Sequence, residues 1–175
     1  MNESLAKLMV AVCDQVVFIK INGKGDFNLS LDLKKLFVEL RQRGYRRFVL
    51  EVCDCAMMDS TFLGMLADIA LKFCDASNPQ GFPLELLNPN PRIAETLENL
   101  GVAHLFKITN CNDPLPVEYQ PLAPVAGKSK VEVTRNCLEA HTALMGLNPE
   151  NVQKFKDVTQ FLAEDLKRLE LAEKK

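Results

Sequence analysis

Several absences narrow the chemistry of this sequence before any motif is read. No apolar run approaches the ~18 residues of a membrane span, and Met1-Asn2-Glu3-Ser4 lacks the basic start of a signal peptide. A cytoplasmic protein with no membrane partner is therefore expected. No charge of one sign dominates: 21 lysines and arginines face 23 acids, for a net charge of −2. This argues against direct nucleic-acid binding. The one basic cluster, Arg41, Arg43, Arg46 and Arg47, straddles Gly44 at an expected helix end, where cations complement the helix dipole. No close Cys-x-x-Cys pair occurs among the six cysteines at 13, 53, 55, 74, 111 and 137, and the two histidines, His104 and His141, are distant in sequence. No metal site is expected. The thiols, set mostly among apolar neighbours, read as reduced small hydrophobes. There is no Gly-x-Ser-x-Gly elbow, no histidine beside a serine, and no glycine-rich phosphate loop. An enzyme is not expected, nor a cofactor.

What is present centres on residues 49–66. An apolar strand signal runs into a short polar turn, and Asp59-Ser60-Thr61 then opens a strongly apolar helix. Asp and Ser are common helix caps. The same helix start favours anions, because its first N–H groups lack intrahelical acceptors and the dipole is positive there. A phosphate on Ser60 would meet that field, so the residues allow both an ordinary cap and a modification switch.

The pattern resembles the STAS family, the sulfate-transporter and anti-sigma-factor-antagonist domains, whose hallmark is a buried strand, a turn and Asp-Ser-(Ser/Thr)-Gly-x-Gly opening a helix. Here it reads Asp59-Ser60-Thr61-Phe62-Leu63-Gly64, with Phe62 in place of the first glycine and Gly64 retained. The stretch from Phe82-Pro83-Leu84 to Ile108 is similar to the second half of that domain. The resemblance implies an α/β STAS-like mixed sheet with packed helices over residues 1–112. It also implies a function: binding of a serine-kinase anti-sigma factor when unphosphorylated, release on phosphorylation of Ser60, and resetting by a PP2C-type phosphatase. Asp26, Phe27, Asp59, Thr61, Gly64 and Asn88 are then the expected partner-binding residues. A non-enzymatic scaffold subunit or small-ligand-binding module remains the alternative.

The local patterns fit that order of elements. Leu8–Cys13 and Val16–Ile21 read as a hairpin about Asp14-Gln15, an unfavoured turn pair. Leu33, Leu36, Phe37 and Leu40 mark one face of a helix ending at Gly44. Phe48–Cys53 reads as a central strand. The helix from Thr61 to about Cys74 is apolar on two faces, with Asp68, Lys72 and Asp75 as its polar stripe. Leu84–Leu87 is a strand, and Pro91 and Gly101 bracket a further helix. Loops at Lys24–Asn28, Asp54–Ser60 and Asn88–Pro91 should meet at the carboxyl ends of the parallel strands. Gly64, costly inside a helix, implies close approach by a neighbouring strand or by a partner.

Beyond residue 112 the character changes. Residues 113–130 are proline-rich and read as a stiff linker with few anchors. Residues 131–175 read as a helical hairpin extension, with one helix over Thr134–Met145 ended by Gly146 and a restart at Asn148-Pro149. The last helix carries Val152, Phe155, Thr159, Leu162, Leu166 and Leu169 on one stripe. An isolated pair of this size is marginal. The stripe should therefore dock on its own domain, chiefly through Val152, Phe155, Leu162 and Leu166, or mediate a homodimer.

Overall fold

Why the chain begins with a tight hairpin is visible in its backbone. Asp14 and Gln15 both adopt left-handed conformations (φ 50° and 65°), the pair of positive φ values that a two-residue turn between twisted strands requires. Cys13 pairs with Val16 across it. Non-glycine residues hold such conformations at a cost of roughly 1 kcal/mol each, offset here by seven paired positions along the hairpin. A computed structural model describes residues 7–74 and 84–174 of the 175. Asp75, Phe82 and Pro83 lie outside the described residues.

Strands β1 (Lys7–Cys13) and β2 (Val16–Gly25) form the hairpin, and helix α1 (Phe27–Gln42) crosses to β3 (Arg47–Glu51), which pairs in parallel with β2. A short strand, β4 (Cys55–Met58), pairs with the far end of β2. Helix α2 (Ser60–Phe73), β5 (Leu84–Leu87), α3 (Pro91–Asn99), a 3-10 turn (Ala103–Leu105) and β6 (Lys107–Thr109) complete the matched order. With β7 (Gln120–Pro121), the sheet reads β6-β5-β3-β2-β1-β7, with β2, β3, β5 and β6 mutually parallel.

Alternation along the strands sorts the two faces. Val17, Ile19, Ile21, Phe48, Leu50, Leu84 and Leu86 point to the helices and join one core with Leu33, Phe37, Phe62, Leu66 and Leu97. Phe37 meets Phe48 and Phe73 edge-on within it, and those two are tilted against each other, with ring centroids 5.1 to 6.0 Å apart. The opposite face carries a small cluster, Val16, Val49 and Leu87, packed by Phe18 and Leu115.

Leu115 belongs to the proline-rich stretch, which has anchors the sequence did not announce. Tyr119 donates its hydroxyl hydrogen to Glu51 Oε2 at 2.7 Å. Gln120–Pro121 adds the edge strand to β1, a position where a proline's missing N–H does no harm. Asp32 Oδ1 then accepts from the Val125 N–H, and Lys128 Nζ lies 2.7 Å from Asp32 Oδ2.

Helix α4 (Lys130–Leu147) follows, opened by a capping box in which Ser129 and Glu132 exchange side-chain and backbone bonds. Gly146 lies within α4 rather than ending it; the helix stops at Asn148, in extended conformation. Pro149 already has helical dihedrals, and Asn148 Oδ1 accepts from the Glu150 N–H at 3.1 Å, so α5 (Glu150–Glu173) starts with the expected residue types. Docking differs from expectation. The hairpin packs through α4, whose Val131, Thr134, Ala140, His141 and Leu144 are buried against the domain. Of the expected stripe Phe155 packs, partly buried, against the domain core, whereas Val152 is 40% exposed and within α5 only Asn151 is fully buried. Helix α4 covers the domain, and α5 packs on α4, touching the domain itself near its start, at Leu100 and Asn99.

The cysteines also depart from expectation. Only Cys55 is buried, Cys137 is half-buried, and Cys13, Cys53, Cys74 and Cys111 are exposed. Cys13 stands beside the hairpin turn, and Cys53 faces the polar side at Glu51. All six are free thiols. Among the described residues no helix is long and apolar enough to cross a membrane.

Candidate functional site

Three loops meet at the carboxyl ends of β2, β4 and β5, and Asp59 ties two of them together. As the cap of α2 it accepts from the Phe62 N–H through Oδ1 at 2.8 Å, and from the Phe27 N–H, at the start of α1, through Oδ2 at 2.9 Å. One carboxylate thus serves the N-termini of two helices. Burial raises its pKa, against the pull of the two N–H bonds, and the charge of Asp26 adds to the rise. Asp26 caps α1 itself, accepting from Asn28 and Leu29. The third loop is joined by Asn90, which caps α3 at the Ile93 N–H and donates to the Cys55 carbonyl at 2.8 Å.

Ser60 stands in the first turn of α2, partly exposed. Its Oγ is 2.9 Å from His141 Nε2, and His141 Nδ1 is 2.7 Å from the Cys137 carbonyl. A carbonyl only accepts, so Nδ1 carries a hydrogen. In the neutral ring Nε2 is then the acceptor, and the Ser60 hydroxyl donates to it. The ring is 6% exposed and meets Phe155 edge-on at 5.0 Å.

The remaining expected residues divide. Thr61 is 6% exposed, under α4, and its hydroxyl meets the Cys137 thiol, whose pKa burial pushes up. Gly64 lies against Ala140 of α4: an added β-carbon would stand 2.8 Å from the Ala140 carbonyl carbon. The close neighbour is thus neither a strand nor a second protein but the chain's own C-terminal helix. Phe27 is 43% exposed beside Asp26. Asn88 stands apart, in a left-handed conformation (φ 57°), with its amide spent on both backbone groups of Cys111. Phe62, at the family's first glycine, points inward with no exposure, beside Gly25. His141, Asn90 and Cys137 were not singled out from sequence. His141 and Ser60 are 81 residues apart, and only the docking of α4 joins them.

A parallel run of four strands joined to an antiparallel hairpin, helices on one face, and Asp-Ser-Thr at the start of the second helix define a mixed-sheet α/β domain with a hydroxyl-bearing helix start among its loops. The chain belongs to the STAS domain family, which matches residues 7–112. It is similar to the crystal structure of a Thermotoga maritima protein described as a candidate anti-sigma factor antagonist. The two share 25% identity and a TM-score of 0.50, over 59% of this chain and 85% of that one. In fold it is similar to the anti-sigma factor antagonist SpoIIAA in its unphosphorylated form, at 16% identity and a TM-score of 0.52, over 61% and 89% of the two chains. No curated protein sequence matches the chain significantly. Helices α4 and α5 lie beyond the family match.

Proposed function

We propose that this chain is a phosphorylation-switched regulatory binding protein of the anti-sigma factor antagonist type. It captures a serine-kinase anti-sigma factor when unphosphorylated and lets it go when Ser60 is phosphorylated, and a PP2C-type phosphatase resets the cycle. The observation that carries this reading is the partly exposed Ser60 hydroxyl in the first turn of α2, next to the cap Asp59, in a STAS domain. A phosphate there adds about −1.5 to −2 charges beside a carboxylate that is already half-buried. An acidic or apolar partner surface packed on this corner would then be repelled or costly to desolvate. Because α4 covers Thr61 and Gly64, the partner's approach is from the Asp26 and Phe27 side.

Incubation with the cognate kinase, followed by mass spectrometry, should place the phosphate on Ser60. Ser60→Ala should keep partner binding and Ser60→Asp should weaken it. Phosphate mapped elsewhere, or equal binding by both variants, would refute the switch. One observation favours the ligand-binding alternative: a cavity of about 490 Å³ lined by Leu8, Leu29, Leu122, Asp26, Asp32 and Lys128. Under that reading an amphipathic small molecule would raise the melting temperature, and Ser60 variants would leave its binding unchanged.

A further inference from the structure

We infer that Ser60 is a histidine-activated nucleophile, with His141 of the C-terminal extension as its proton acceptor; the inference deepens the phosphorylation reading above. The geometry is a relay of three groups. The Cys137 carbonyl fixes the hydrogen on His141 Nδ1 at 2.7 Å, and the lone pair on Nε2 faces the Ser60 hydroxyl at 2.9 Å. A nucleophile within hydrogen-bond reach of a base that a third group orients is the arrangement that activates serine. The ring is 6% exposed and held by Phe155, so little reorganisation separates this geometry from the reacting one.

The reaction is attack on an electrophilic phosphorus presented by an outside donor, such as the γ-phosphoryl group of a nucleoside triphosphate held by a kinase. Ser60 Oγ forms the new O–P bond and the bond from phosphorus to the leaving nucleoside diphosphate breaks, its electron pair departing with that group. The hydroxyl proton passes to His141 Nε2. The product then sets a phosphate against an imidazolium on α4, a charge-assisted pair. Phosphorylation would thus tighten the hold of the extension on this corner. STAS-matched residues 7–112 do not contain this base; it comes with the extension.

Nucleophilicity can be read without any kinase. An alkyl fluorophosphonate, in which P–F breaks as Oγ–P forms, should label the full-length chain at Ser60. His141→Gln should slow that labelling by roughly 100-fold or more. In the unmodified protein the rate should fall in acid, because an imidazolium cannot accept the Ser60 proton. The charged group facing the ring is the Asp59 carboxylate, while α4 presents the Cys137 carbonyl and α5 the Phe155 ring. Should the glutamine variant fail to fold, the acid limb of the unmodified chain still decides. An unlabelled Ser60, a flat pH profile, or equal rates in a folded His141→Gln variant would overturn the inference. Kinase treatment reports separately: labelled by the probe but never by a kinase, Ser60 would keep its activated state and the switch would fall. Phosphorylated by the kinase at equal rates with and without His141, it would keep the switch and lose the base.

Discussion

Gly64 of α2 and Ala140 of α4 touch backbone to backbone: a β-carbon at position 64 would lie 2.8 Å from the Ala140 carbonyl carbon and 3.0 Å from its β-carbon. That contact brings the two helices close enough for Ser60 to reach His141 one turn away. Helix propensity alone would favour alanine by about 1 kcal/mol. The obstruction is a backbone group that moves only with α4 as a whole, and overpacking of this kind costs about 1–3 kcal/mol. Gly64→Ala should therefore destabilise the protein in urea titration and weaken the Ser60 to His141 bond, seen as altered ¹⁵N shifts of the imidazole. An equally stable variant would show that α4 is loosely docked.

Tyr119 straps the proline-rich stretch to β3 through Glu51, and the strap has a defined pH window. Burial raises the Tyr119 pKa and the Glu51 bond raises it further, well above the ordinary tyrosine value. For Glu51, burial pushes upward, but the bonds from Tyr119, Cys53 and Lys20, with the charge of Lys20, leave it lowered. A lowered carboxylate stabilises the fold above its unfolded pKa and loses that contribution as pH falls through its folded value. A raised phenol stabilises below its unfolded pKa and loses the contribution as pH rises through its folded value. Tyr119→Phe should therefore cost about 1–2 kcal/mol between roughly pH 5 and 9, and less at either extreme. A cost that does not vary with pH would rule out the Glu51 bond as its source.

Periodicity made much of this architecture legible. The Leu33, Phe37 and Leu40 face, the two-faced α2, and the Leu84–Leu87 strand follow from side-chain spacing, which local sequence encodes. Strand β4 did not show, because its four residues pair beside a register shift in β2 and carry no alternation of their own. The anchors of residues 113–129 were hidden because they are single side chains reaching distant partners, Tyr119 to Glu51 and Lys128 to Asp32. At the site, Asp59 and Ser60 were readable as a helix start, but His141 was not. Its one sequence-level signal is that α4 buries polar and small residues, Thr134, Asn136, Ala140 and His141, where an ordinary core helix would bury leucines.

Lys128 is the cation that neutralises Asp32, whose side chain is 6% exposed. It also donates to the Asn28 carbonyl at 3.0 Å, joining the entry of α4 to the first turn of α1. Lys128→Met keeps the aliphatic stem but strands a buried carboxylate, and removing one partner of a buried pair costs about 3 kcal/mol. Denaturant midpoints at neutral pH should fall accordingly. Lys130→Met, at an exposed position with no ion pair among those described, should leave them within about 0.5 kcal/mol. Equal effects would mean that Asp32 finds another cation or a water.

Asn151 holds the start of α5, and the exposed Val152 beside it does much less. Its side chain has no exposure, and its amide donates to the Leu100 carbonyl beyond α3 and to the Leu144 carbonyl of α4, both at 2.9 Å. One residue thereby joins the C-terminal ends of two helices to the beginning of a third. Asn151→Ala strips the donor from the Leu100 carbonyl, a desolvation cost of about 1–3 kcal/mol, while the Leu144 carbonyl keeps the Asn148 N–H at 3.3 Å. Its own Oδ1 has no partner, and losing that orphan returns part of the cost, for a net near ~1 kcal/mol. In a chain of 175 residues, that lowers the melting temperature by roughly 2–4 °C. Val152→Ala, one residue on but 40% exposed, should cost under about 0.5 kcal/mol. Hydrogen exchange adds a second reading: Asn151→Ala should speed exchange of α5 amides while leaving β2 and β3 protected. If Val152→Ala proved the more damaging change, α5 would be held by its apolar stripe, and the polar clasp at Asn151 would be incidental.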